Sequence, residues 1–107
     1  MDYTLENDKE NPTVWKLGLL PSDVFGRISA DAAKNGDIET AYALLGVSLK
    51  GWTNFSVPFK TVTKQICGRS FDVVHQELLS QIPLQAITEL TKKVMEINGL
   101  SGQEIKN

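Results

Sequence analysis

The apolar positions of this chain fall into two periods, helical at both ends and alternating in the middle. Phe25, Ile28 and Ala32 recur at helical spacing behind Pro21-Ser22-Asp23, where Ser22 can cap and Asp23 sits in the first turn. Asn35-Gly36 tolerates the left-handed backbone that ends a helix, so the first helix stops there. Asp37 can open a second at once, with a stripe of Ile38, Ala41, Tyr42, Leu45 and Leu49, and Gly51 to end it. So short a loop makes the two an αα-hairpin. Pro58 then excludes helix, and positions 60–67 alternate, with Val62, Lys64 and Ile66 on one side and Thr61, Thr63 and Gln65 on the other. Gly68-Arg69 predicts a tight turn, and Ser70 to Val74 the returning strand. A short helix over Gln76 to Ile82 precedes Pro83, which suits the first turn of a last helix with Ile87, Leu90, Val94 and Ile97 on its core face. Glu89 and Lys93 form an i,i+4 pair on its outer side, and Asn98-Gly99 ends it.

Ahead of these elements, residues 1–12 read as a flexible acidic arm, and Thr13 to Leu17 can form a short strand. The expected architecture is α+β and mainly α: an N-terminal helix pair, a small β-hairpin and C-terminal helices. Residues 13–100 make a single globular domain, followed by a loose tail over 101–107. A two-stranded hairpin is marginal alone in water, so it must lie on the helices or add to another sheet.

Composition narrows the function classes. Hydrophobic residues at 41% and charged residues at 22% of 107 positions suit one ordered domain with one core. A formal charge of −2 argues against a dedicated nucleic-acid binder. The charge is uneven: Asp2, Glu6, Asp8 and Glu10 crowd the first twelve residues, while Lys50 to Arg69 holds four basic residues and no acid. The single cysteine, Cys67, excludes an intrachain disulfide and fits a reducing compartment. No apolar run reaches the ~18 residues of a membrane helix, and the acidic start is not signal-like, so a soluble cytoplasmic protein is expected.

Candidate chemistry is sparse. Cys67, Asp72 and His75 lie close in sequence, but a nucleophilic site needs their side chains to converge beside an oxyanion hole. The plainer reading makes Cys67 a small buried hydrophobe and His75 a surface or capping residue at a helix start. One Cys and one His cannot close a zinc shell, and Gly99-Leu100-Ser101-Gly102 follows a helix rather than a strand, so no metal, cofactor or enzymatic activity is expected. The acid-free span interleaves Lys50, Lys60, Lys64 and Arg69 with Trp52, Phe55 and Phe59. Single-stranded nucleic-acid surfaces use such mixtures, yet a small domain also needs Trp52 and Phe59 as core. Trp52, Phe55, Phe59, Lys60, Lys64 and Arg69 are the candidate partner-binding residues, and whether the aromatics pack inside or face a partner stays open. An exposed strand edge can also pair with a neighbouring copy, giving a ring or a filament.

One resemblance goes further. The helix opening Leu20-Pro21-Ser22-Asp23-Val24-Phe25 is followed by Ala41-Tyr42-Ala43-Leu44-Leu45 and then Lys50-Gly51-Trp52-Thr53-Asn54-Phe55. Val57-Pro58-Phe59, Ile82-Pro83-Leu84 and a helix ending Glu96-Ile97-Asn98-Gly99-Leu100 complete the series. From Val14 to Leu100 this order resembles the small tail assembly chaperones of long-tailed bacteriophages. The resemblance implies a non-catalytic protein of the infected host's cytoplasm. It would bind the tape-measure protein, self-associate as a homo-oligomer such as a ring, and help tail-tube subunits polymerise. A small phage accessory protein that binds a host factor or structural partner is the alternative, and a nucleic-acid-binding module the third.

Overall fold

The β-branched and aromatic run Val14-Trp15-Lys16-Leu17 is extended, and its alternation buries Trp15 and Leu17 while leaving Lys16 in solvent. A computed structural model describes residues 1–98, apart from the side chain of Ala33; the expected tail over 101–107, with Gly99 and Leu100, lies outside the described residues. In chain order the elements are β1 (Asp2–Tyr3), β2 (Val14–Leu17), α1 (Ser22–Ala33), α2 (Asp37–Ser48), β3 (Leu49–Thr53), β4 (Thr61–Ile66), β5 (Arg69–Val74), α3 (Gln76–Leu79) and α4 (Leu84–Ile97). The fold is α+β with strands first. This corrects the expected architecture, which opened on the helix pair.

Two structural reasons underlie the correction. The stretch expected as an acidic arm carries β1, which pairs antiparallel with β2, Tyr3 opposite Trp15. That stretch is tied down by side chains too: Tyr3 Oη donates to Glu89 Oε2 on α4 at 2.5 Å, and the Glu6 amide donates to the same oxygen at 3.0 Å. The second reason is that α2 ends at Ser48, and Leu49 turns extended to begin β3 without a loop. Leu49 completes a helical stripe in the sequence, but β2 offers a pairing edge, and Leu49 sits opposite Leu17. The result is a three-stranded antiparallel sheet in the order β1-β2-β3.

Local signals explain most of the rest. Pro21 occupies the N-cap of α1, so Ser22 is its first helical residue and supplies no cap bond. Gly36, at φ 105°, takes the equivalent place before α2, and Asp37 moves into the first turn, where a carboxylate favours the helix dipole. The hairpin turn is Cys67-Gly68, one residue earlier than expected, with φ 53° and 76°. Both central residues of this turn class need positive φ, and the one residue that meets it cheaply is Gly68. Cys67 is exposed there, not buried. His75 does cap a helix, its Nδ1 accepting from the Glu77 amide at 3.2 Å.

The core joins Trp15 and Leu17 of the sheet to Val24 and Ile28 of α1, Leu44 and Leu45 of α2, and Ile87, Leu90 and Val94 of α4. The last half of α2, from Leu44 to Ser48, is buried on every side, because α4 packs on it and β5 and α3 cross it at Gly46. Glu89 and Lys93 do not form the expected outer pair. Glu89 is held by Tyr3, and Lys93 reaches Glu96 at 3.4 Å.

The Tyr3 bond generates a pH signature. Its hydrogen bond to Glu89 raises the phenol from its usual value to about 12, because ionisation would place two negative charges together. Stability drawn from the bond is complete below the unfolded tyrosine value of about 10 and is lost as pH rises through the folded value. A phenolate absorbance titration should show a component near 12. Tyr3→Phe should remove that component and Glu89→Gln should move it down. A curve unchanged by both substitutions would contradict the docked arm.

Candidate functional site

The chain leaves β3 through a tightly pinned turn. Asn54 takes a left-handed φ of 63°, and its side chain donates to the carbonyls of Asn11 and Pro12. Thr13 Oγ1 donates back to the Asn54 carbonyl at 2.8 Å. Over this turn Trp52, Phe55 and Phe59 lock edge-on: Trp52 stands perpendicular to Phe59 at 4.8 Å and to Phe55 at 5.3 Å. Buried Trp15 closes the group, 5.2 Å from Phe55. The Trp52 indole N–H donates to the Val57 carbonyl at 2.7 Å, so its one polar atom is satisfied within the chain. Such edge-to-face pairs add about 0.5–1.5 kcal/mol each beyond their buried area. All three candidate aromatics are half-buried and packed against the core, with Trp52 edge-on to both phenylalanines.

This cluster sets the course of the hairpin. Lys60 comes directly after Phe59, and β4 then runs out as one strand of a two-stranded sheet, paired only with β5 among the described residues. Thr61 through Gln65 are all exposed, and Ile66 alone is buried. Strand β5 lies inward, with Val74 buried and Phe71 and Val73 half-buried. The far end of the hairpin is anchored to α1, where Arg69 bridges Asp23 at 2.5 Å. The Arg69 guanidinium holds the Asp23 carboxyl below its ordinary value. Both groups are largely exposed, so this pair orients more than it stabilises.

Between the inner face of β4 and the α1–α2 pair lie two adjoining grooves, of about 570 and 340 Å³. They share Ile28, Glu39, Ala43 and Lys64. Val62, almost half exposed at 48%, borders the second groove beside its cross-strand partner Val73, and Tyr42 of α2 lines the same groove.

The four basic residues of the acid-free span separate by role. Lys50 folds back to donate to the Val47 carbonyl near the end of α2, at 3.0 Å. Arg69 is engaged with Asp23. Lys60 and Lys64 have no ion-pair partner among the described residues, and both are exposed beside the free edge of β4. Of the six candidate residues, then, the structure brings Lys60 and Lys64 to one open surface. It places Trp52, Phe55 and Phe59 over the turn that precedes β4, packed on the core, and Arg69 at the far end of the hairpin, on Asp23. Sequence patterning does not single out Glu39, Tyr42 and Val62 as part of the site. Their contribution comes from α2 packing on β5 beside β4, which no local pattern announces.

Cys67, Asp72 and His75 do not converge. Cys67 is in the turn and His75 lies beyond the opposite end of β5, roughly 20 Å of strand away at about 3.3 Å per residue. Among the described residues no three His, Cys, Asp or Glu side chains are grouped to hold a metal ion, and no helix is long and apolar enough to cross a membrane. No family model, no curated protein and no solved structure matches the chain.

Packed aromatics and exposed lysines should respond differently to substitution. Trp52→Ala removes a ring that holds two others and should cost about 2–4 kcal/mol in urea unfolding. Lys64→Glu should stay within about 0.5 kcal/mol of the parent. Equal, small effects at both positions would contradict the packing role of Trp52.

Proposed function

We propose that this chain is a non-catalytic binding protein of phage tail assembly that holds an elongated client, such as the tape-measure protein, by surface contact. The observation that carries the binding role is the edge of β4, which is free among the described residues, with five consecutive exposed residues, two lysines with no ion-pair partner among those residues, and a groove beside it. The phage setting comes from the resemblance of Val14 to Leu100 to tail assembly chaperones. Self-association and action in the host cytoplasm belong to the same reading.

An edge of this kind supports the role physically. Unpaired strand N–H and C=O groups are a template for another strand, and a groove beside them can receive its side chains. Helix α2 packs on β5 behind the hairpin, which leaves the outer edge of β4 clear of that contact. Co-expression tests the reading. Tape-measure fragments that are insoluble alone should become soluble and co-purify with this chain. A set of overlapping fragments spanning the client, all of which stay insoluble, would contradict it.

A further inference from the structure

We infer that the β4 edge recognises an extended acidic segment in which two carboxylates flank an apolar residue at alternate positions, an inference that deepens the binding role proposed above. Val62 and Lys64 share one side of β4, and Lys60, the residue just before the strand, falls at the next alternate position of the sequence, with Thr61 and Thr63 in between. A strand laid along this edge places its own alternate residues beside those three. Opposite charges stabilise such cross-strand neighbours, and apolar residues pair with apolar ones. The matching sequence is therefore acid–x–apolar–x–acid, with x a β-forming polar residue beside Thr61 and Thr63. The central apolar side chain would continue the row formed by Val73 and Val62 and cover the groove that Tyr42 lines.

The same five residues argue against a second copy as the occupant. Lys60-Thr61-Val62-Thr63-Lys64 is a palindrome. Antiparallel pairing of two copies about Val62 sets valine on valine but puts each lysine opposite a lysine. Moving the centre to Thr63 relieves the lysines and places Val62 opposite Lys64. No two-fold register satisfies both, and lysines on an edge strand are a known device against pairing with like chains. A charge-reversed strand satisfies both at once. Other charges near the site do not change this: Asp31 is taken up by Arg27 at 3.1 Å, and Glu39 borders the groove beyond ion-pair distance of Lys64. Asp72 points to the opposite face, paired with Thr63. Single-stranded nucleic acid would find no exposed aromatic row along β4 itself, where Thr61 through Gln65 carry no ring, and Trp52 stands edge-on to Phe55 and Phe59.

The test is a backbone-amide NMR titration of the full chain with a blocked peptide built on Glu-Thr-Val-Thr-Glu. The expected result is shifts confined to Thr61–Gln65 and to groove residues such as Glu39 and Ala43. The double variant Lys60→Glu/Lys64→Glu, shown folded by circular dichroism, should bind about tenfold more weakly, and the peptide built on Lys-Thr-Val-Thr-Lys should not bind the parent. Absent shifts at β4, or equal binding of both peptides, would overturn the inference. So would stronger shifts at the same amides with an oligothymidylate, or a dimer of the free protein whose contacts map to β4. The two readings separate in co-expression. A double variant that still solubilises tape-measure fragments removes the strand edge from the mechanism and leaves the assembly role standing.

Discussion

The fold turns on a reciprocal clamp between Gly18 and Ser48. The Gly18 amide donates to the Ser48 carbonyl at 2.8 Å, and Ser48 Oγ donates to the Gly18 carbonyl at 2.6 Å. Ser48 is fully buried at the end of α2, where a helical chain must become a strand without an intervening loop. The clamp supplies partners for backbone groups that the change of conformation would otherwise leave orphaned in the core. A buried carbonyl stripped of its donor costs about 1–3 kcal/mol, so the position admits few alternatives. Once it is set, Leu17 meets Leu49 and Trp15 meets Trp52 across the sheet. A shift of one residue would turn both apolar rows to solvent.

From that register the outer surface is built. Trp52 gathers Phe55 and Phe59, the bend at Asn54 is held to the 11–13 segment, and β4 is launched clear of the body of the protein. The hairpin survives as a two-stranded sheet because β5 rests on α2 and the turn end is held by Ile66 and Arg69. Only one strand needs that support. The cost falls on β4, whose edge is left open to any passing strand, and Lys60 and Lys64 limit which strands can use it. Stability of the hairpin and selectivity of its edge thus come from different residues, inner and outer.

Much of this was legible in the sequence, for identifiable reasons. Helices α1 and α4 follow from local periodicity, and the hairpin from alternation interrupted by Gly68. His75 as a cap follows from its place between a strand and a helix. Strand β3 was not legible, because Leu49 fits the stripe of α2 and Gly51 resembles a helix stop. Its conformation is decided by pairing with β2, more than thirty residues earlier. Strand β1 is two residues long and is held by Met1 bonding Leu17 and by Tyr3 reaching α4, contacts between segments far apart in the chain. The candidate site was legible in part. Charge patterning grouped Lys60 and Lys64 with Lys50 and Arg69, whereas the turning back of Lys50 onto Val47, the engagement of Arg69 with Asp23 and the groove over α2 are tertiary facts.

Amide hydrogen exchange of the free chain and of its complex with a solubilised client fragment tests most directly whether the open edge of β4 is the working surface. The outward amides of Thr61–Gln65 should exchange rapidly in the free protein and slow markedly in the complex, while those of β2 and β3 stay unchanged. Protection that appears on another face and leaves β4 exchanging as before would contradict the account.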